Sequence, residues 1–259
     1  AAHVTDRSNA AVTGLARIDG TDWDDAVLDV LRIDRASLPR MVDSIGEIAH
    51  ADALPGSPFI AGLGGDQQCA LIGQSCVRPG QAKCTFGTGG MLDVVTGGVG
   101  PTRAGRDTNG TFPIVAWSID GRITWGAEAI MLTAGTSIDW LVEDLGLLAR
   151  PSDSADVAAS VPDTAGAVFV PALMGLGTPR WDYGARGSLL GVSRGTTRAH
   201  VVRAVLAGIA HRAADLVTAA GVAAGAPLAS LRVDGGMSAN PTFLALLAEA
   251  TGLPIEVAP

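Results

Sequence analysis

The feature that most constrains this chain is the segment 231–257. Leu231-Arg232-Val233 reads as a short strand, Asp234-Gly235-Gly236 as a glycine turn, residues 242–251 as a helix opened by Asn240 or Pro241, and Pro254-Ile255-Glu256-Val257 as a second strand. Strand, helix and strand in such close succession are expected to form a parallel pair with a right-handed crossover. In units of that kind ligands sit at the carboxyl end of the first strand. Gly235 and Gly236 stand at that end, and their bare backbone would let a flat ring or a phosphate lie directly on it. The plainer alternative is a tight turn that merely needs glycine.

A second pair of glycine-rich stretches carries the chemistry. The small-residue loop Ala61-Gly62-Leu63-Gly64-Gly65 delivers Asp66 to the start of an apolar segment, Cys69-Ala70-Leu71-Ile72-Gly73-Gln74. An Asp in that position is expected to cap a helix and to feel the positive end of its dipole, both of which favour the carboxylate, able to accept a proton. About twenty residues on, the β-type run Ala82-Lys83-Cys84-Thr85-Phe86 enters Gly87-Thr88-Gly89-Gly90 and leaves through Met91-Leu92-Asp93-Val94-Val95. This is a hairpin whose tip offers backbone N–H groups and the hydroxyls of Thr85 and Thr88, a suitable phosphate cradle. Taken alone, Asp66 reads as a helix cap. Beside a phosphate cradle it points to phosphoryl transfer.

Composition removes several function classes. A net charge of −8 argues against nucleic acid or an anionic membrane surface as the main partner. Cys69, Cys76 and Cys84 have neither paired zinc spacing nor disulfide density and read as reduced thiols. With no signal peptide and no run of strongly apolar, uncharged residues long enough to span a bilayer, a cytoplasmic protein is expected. The 47% hydrophobic residues suffice for a packed core in one large or two modest domains. No repeat of period 20–50 is present.

The remaining stretches position these motifs. Thr21 with Asp22-Trp23-Asp24-Asp25 predicts a helix start, with Trp23, Val27, Val30 and Leu31 on its inner face. Asp120-Gly121 predicts a hairpin between residues 113–118 and 122–125, after which Gly126-Ala127-Glu128 is expected to open a helical region. A helix started by Thr136 or Ser137 follows, and 149–165 reads as a surface connection. Residues 166–171 read as a short strand stopped by Pro171. The loop 174–187 is expected to pack on itself, with Trp181 buried and Arg186 paired to Asp182. Residues 198–221 form a long amphipathic helix with Gly221 as its cap, on which His200 and His211 lie too far apart to share a metal. No metal ligand set is assigned in this chain.

Four blocks, Gly65-Asp66-Gln67-Gln68, Thr85-Phe86-Gly87-Thr88-Gly89, Gly175-Leu176-Gly177-Thr178-Pro179-Arg180-Trp181-Asp182 with Ala185-Arg186-Gly187, and Asp234-Gly235-Gly236-Met237-Ser238-Ala239-Asn240, resemble the FGGY family of carbohydrate kinases. The likeness runs nearly end to end with the blocks in the family's order. It implies an α/β fold of the ribonuclease-H-like type, with residues 1–73 closing an N-terminal substrate domain and 74–259 forming most of the C-terminal nucleotide domain without its last helices. The implied reaction is phosphorylation of a primary hydroxyl by ATP with Mg²⁺, with glycerol as first substrate and a xylulose-like sugar or another polyol as the alternative. A non-catalytic nucleotide-binding module of the same fold is the other reading. By matching position the resemblance makes Asp66 the general base, Asp66 and Gln67 the substrate contacts, and Thr88, Gly89, Gly135, Asp139, Gly235, Gly236 and Asn240 the nucleotide contacts. Asp139 stands where Gln is usual, and Met91 where an aromatic residue lines the glycerol pocket. The loop 53–58 lacks the Gly-Thr-Arg associated with inhibition by fructose bisphosphate, so no such regulation is expected. A homo-oligomer, dimer or tetramer, is implied, and the 259 residues by themselves are expected not to turn over.

Overall fold

The structure, a computed structural model, describes residues 2–103 and 105–258. Its centre is a mixed eight-stranded sheet. In chain order its strands are β3 (Ile45–His50), β4 (Phe59–Gly62), β5 (Ala82–Phe86), β6 (Gly90–Gly97), β7 (Phe112–Ile119), β8 (Arg122–Met131), β11 (Leu231–Asp234) and β12 (Ile255–Val257). Across the sheet they run β12-β11-β5-β6-β8-β7-β3-β4. Two small sheets flank it: β1 (Val4–Asp6) parallel to β2 (Arg40–Val42), and β9 (Val168–Val170) antiparallel to β10 (Ser188–Leu190). The helices are α1 (Arg7–Val12), α2 (Asp25–Leu31), α3 (Asp66–Gly73), α4 (Gly135–Glu143), α5 (Ser154–Ala159), α6 (Arg198–Ala224) and α7 (Pro241–Thr251).

Strand alternation gives the sheet two unlike faces. Cys84 and Phe86 of β5, Leu92 and Val94 of β6, and Ala129 and Met131 of β8 pack against Val205, Ile209 and Leu216 of α6 and Phe243 of α7. All ten of these side chains are almost wholly buried, so this layer supplies most of the hydrophobic stabilisation. The opposite face carries α3, whose Leu71 packs with Val95 and Ile114. That face also carries an in-register row of charged residues, Lys83, Asp93 and Glu128. Parallel pairing of β11 with both β5 and β12 is the arrangement expected for the strand–helix–strand unit, and it brings the Gly235-Gly236 turn beside the Thr85–Gly90 hairpin.

Several local expectations are corrected. Helix α2 begins at Asp25 and is capped by Asp24, not Thr21, because Trp23 is held in an extended bridge to Ala16. Leu28 therefore faces inward, while Val30 and Leu31 are exposed. Residues 126–128 do not open a helix: β8 continues to Met131, paired on one side with β6 and on the other with β7. Helix α4 follows at Gly135, with Ala134 at its cap position. Within 149–165 lie a 3₁₀ turn, Pro151–Asp153, and α5, whose Ala158 is buried in the main core. Asp182 accepts the amides of Gly184 and Ala185, and Arg186 donates to the carbonyls of Tyr183 and Ala185, so the expected Arg186–Asp182 pair does not form.

Helix α6 runs on to Ala224 and ends at Gly225, which takes the left-handed conformation (φ 74°) that favours glycine at a helix end. By length and composition it could cross a membrane, but half of its most apolar window is buried inside the fold. His200 joins Thr197 in a capping box, and His211 is exposed.

Candidate active site

The Asp66 loop is anchored from beneath. Asp6 is fully buried and caps α1, accepting from Ser8 and Asn9 and from the Ser44 hydroxyl at 2.7 Å. The Ser8 hydroxyl donates to the same carboxylate at 2.7 Å and accepts the Gly65 amide at 2.9 Å. Gly65, not Asp66, is thus the cap residue of α3. Asp66 occupies the first helical position with its carboxylate exposed, accepting only the Gln67 amide at 2.8 Å. The expected capping role is corrected: the chain's polar anchors satisfy the loop from below and leave the carboxylate free. The Asp6–Ser8–Ser44 support was not recognised from sequence, although Asp6 followed three residues later by Asn9 is a helix-start signal.

The hairpin forms as expected, with Phe86 opposite Gly90. Its two hydroxyls part company. Thr85 lies on the α3 face, 3.1 Å from the Lys83 ammonium and 3.4 Å from Gln67 Oε1. Thr88 is exposed at the tip, where its carbonyl accepts the Ala134 amide (2.9 Å) and the Thr136 hydroxyl (3.1 Å). The Gly135 amide donates to the Gly87 carbonyl at 2.9 Å, and a Cβ on Gly135 would sit 2.6 Å from that oxygen. Only glycine lets α4 approach the hairpin this closely.

A cleft of about 360 Å³ opens beside this contact. Thr88, Gly135, Asp139, Gly236 and Asn240 all line it, although they come from three separate segments. Gly89 and Gly235 stand behind the lining. A Cβ on Gly89 would strike the Met131 carbonyl, and one on Gly235 (φ +85°) the Phe86 carbonyl, so both maintain the backbone packing that shapes the wall. Gly236 differs, since a Cβ there would meet nothing within 4 Å and would project into open space. Asn240 caps α7 by accepting the Phe243 amide at 2.9 Å and donates to the Ser154 hydroxyl at 3.1 Å. Ser152, Ser154 and Ala155 complete the wall. They were missed because they belong to the stretch read as a surface connection, and no local pattern marks them.

Asp66 and Gln67 do not line this cleft. They stand on the far side of the hairpin, over the charged row of the sheet. There Lys83, fully buried, lies 2.8 Å from the equally buried Asp93 and donates to Gln67 Oε1. Burial pushes the Asp93 carboxyl upward against the pull of Lys83. Glu128 is pushed up to about 7, chiefly by burial and then by the neighbouring charge of Asp93, with Lys83 opposing. Charged residues at alternate positions of otherwise apolar strands were the available signal for this row. The site therefore consists of a carboxylate and a carboxamide on one side of a phosphate-type turn and a nucleotide-sized cleft on the other.

A mixed sheet of this order, flanked by helices, defines an actin-like, ribonuclease-H-like architecture. The profile of the FGGY family of carbohydrate kinases, C-terminal domain, matches residues 82–259. The chain belongs to that family. It is 44% identical to a glycerol kinase of Aromatoleum aromaticum, over 98% of this chain and 51% of the relative. To one of Halorhodospira halophila it is 42% identical, over 100% and 51% respectively. Among solved structures, a Plasmodium falciparum glycerol kinase with ADP superposes with a TM-score of 0.88 at 32% identity, over 98% of this chain and 51% of that one. A ligand-bound xylulose kinase of Lactobacillus acidophilus reaches 0.82 at 24% identity, a likeness of fold. The chain spans about half the length of the curated relatives it matches.

Proposed function

We propose that the protein carrying these residues transfers a phosphoryl group from MgATP to a primary hydroxyl of a polyol, glycerol in the first instance. The observation that carries this reading is the convergence of Thr88, Gly135, Asp139, Gly236 and Asn240 on one cleft, with Asp66 just across the hairpin. Asp66 takes the proton of the attacking hydroxyl as its oxygen bonds to the terminal phosphorus and the bond to the ADP oxygen breaks. Gln67 holds a substrate oxygen. Thr88 and the neighbouring amides stabilise the transferred group, and Gly135, Asp139, Gly236 and Asn240 surround the nucleoside, with Gly89 and Gly235 shaping the wall behind them. Magnesium would neutralise charge on the phosphates it accompanies. Residues 1–73 would close a substrate domain and 74–259 would form most of the nucleotide domain, without its last helices, of a cytoplasmic homo-oligomer.

The relatives named glycerol kinase favour glycerol over a pentulose. The test is a coupled ADP-release assay on the full reading frame that contains this chain, with glycerol, xylulose and other polyols. Efficient turnover of glycerol is expected. A preference for a sugar would replace the substrate, and ATP binding without turnover of any acceptor would leave only a nucleotide-binding module.

A further inference from the structure

The geometry points to Lys83 as a positioning residue that decides which end of the Gln67 carboxamide meets the substrate. This rests on the kinase reading above. Lys83 lies mid-strand in β5 with its side chain 0% exposed. Its ammonium meets Asp93 Oδ2 at 2.8 Å, Thr85 Oγ1 at 3.1 Å, and Gln67 Oε1. An ammonium has three donors and no acceptor; this one donates to Gln67 and Thr85 and pairs with Asp93 by charge, without hydrogen-bond geometry. Only the oxygen end of Gln67 can face it; turned the other way, the carboxamide would set its N–H groups against N–H groups. The Gln67 NH₂ therefore points away from the sheet, and it has no hydrogen-bond partner among the described residues.

The consequence is a fixed pairing at the first turn of α3. Asp66 offers an acceptor and Gln67 a donor, a combination that suits a neutral polyol donating one hydroxyl proton to Asp66 while another oxygen accepts from Gln67. The Lys83–Asp93 pair is an expensive way merely to fill the interior. Two charges are taken out of water, neither Asp93 oxygen finds a hydrogen-bond partner, and apolar residues of similar volume commonly serve such positions as well or better. Its use lies in aiming a polar side chain at the site from a strand paired on both sides.

The test uses the full-length protein with two variants. K83M/D93L removes both charges together, so no buried ion is stranded, and Q67E keeps an oxygen against Lys83 while exchanging the outward donor for an acceptor. Both are expected to raise the polyol KM about 10-fold or more while the KM for ATP stays within about 3-fold, the pattern of lost substrate binding. A loss confined to kcat, or a polyol KM equal to the wild type in either variant, overturns the proposal. A readout independent of activity separates it from the kinase reading. The Gln67 side-chain NH₂ resonances, assigned by comparison with Q67E, are expected to shift in K83M/D93L. If the wild type phosphorylates no acceptor but these signals shift, the kinase reading fails and the Lys83 contact stands; unshifted signals overturn the contact whatever the activity.

Discussion

At the scale of single residues the site separates a carboxylate that is free to act from others that are committed. Asp6 is consumed by five donors around the cap of α1, whereas Asp66 is exposed and accepts only its neighbour's amide. Asp66→Asn should therefore leave α3 intact. Removing a general base is expected to lower turnover by at least ~10²-fold with ATP affinity within a few-fold, by steady-state kinetics and calorimetry. More than about a tenth of normal turnover would assign Asp66 no proton-transfer role. Glu128 yields a second prediction. Its carboxyl is raised from 4.5 to about 7 by burial and by Asp93, so the folded state holds a proton that the unfolded chain releases. Stability from this group is fully present below about 4.5 and is lost as pH rises towards about 7, by up to ~3 kcal/mol. Glu128→Gln should flatten that part of the pH dependence in thermal denaturation and raise the melting temperature at pH 8. An unchanged slope would exclude Glu128 as its source.

At the scale of elements the two adjacent glycines after β11 are predicted to behave differently. Gly235 holds a left-handed backbone with the Phe86 carbonyl where a Cβ would go. Gly235→Ala should destabilise by about 1–3 kcal/mol in chemical denaturation. Gly236 has open space in front of it and lines the cleft, so Gly236→Val should fold normally and weaken ATP binding by about 10-fold or more, as loss of a flush backbone contact implies. ATP affinity equal to the wild type by calorimetry would remove the adenine from that wall. The unit was legible in sequence because its signals are local: an apolar run, a glycine pair, an Asn-Pro helix start and a second run. Residues 126–128 were misread for a related reason. Gly-Ala-Glu carries no strong strand preference, and only pairing to strands on both sides keeps β8 extended to Met131.

For the whole molecule, the two halves of the site have different dependencies. The cleft proposed for the nucleotide is lined entirely from residues 86–240, while Asp66 is exposed to solvent and Gln67 stands over the buried Lys83–Asp93 pair. The 259 residues alone are therefore expected to bind ATP weakly and not to phosphorylate glycerol. Transfer requires the hydroxyl, base, metal and phosphate to be held to well under 1 Å with water excluded, and small misplacements cost ~10²-fold. Turnover at ordinary kinase rates of ~1–100 per second in an ADP-release assay on this chain would show that it holds a complete site.

The sequence by itself determined the turns and the reactive groups: where glycine permits a close approach, where a carboxylate begins a helix, and which strands must run parallel. These depend on neighbours along the chain, and their signatures survive in a linear reading. Only the tertiary structure decided what each group faces. It turned Thr85 to Gln67 and Thr88 to the cleft, brought Ser152 and Ser154 to the wall of that cleft, and set Lys83 under Gln67 beside Asp93. Those outcomes follow from strand register and helix packing, which bring together residues far apart in the chain, and no local pattern encodes the distance between them.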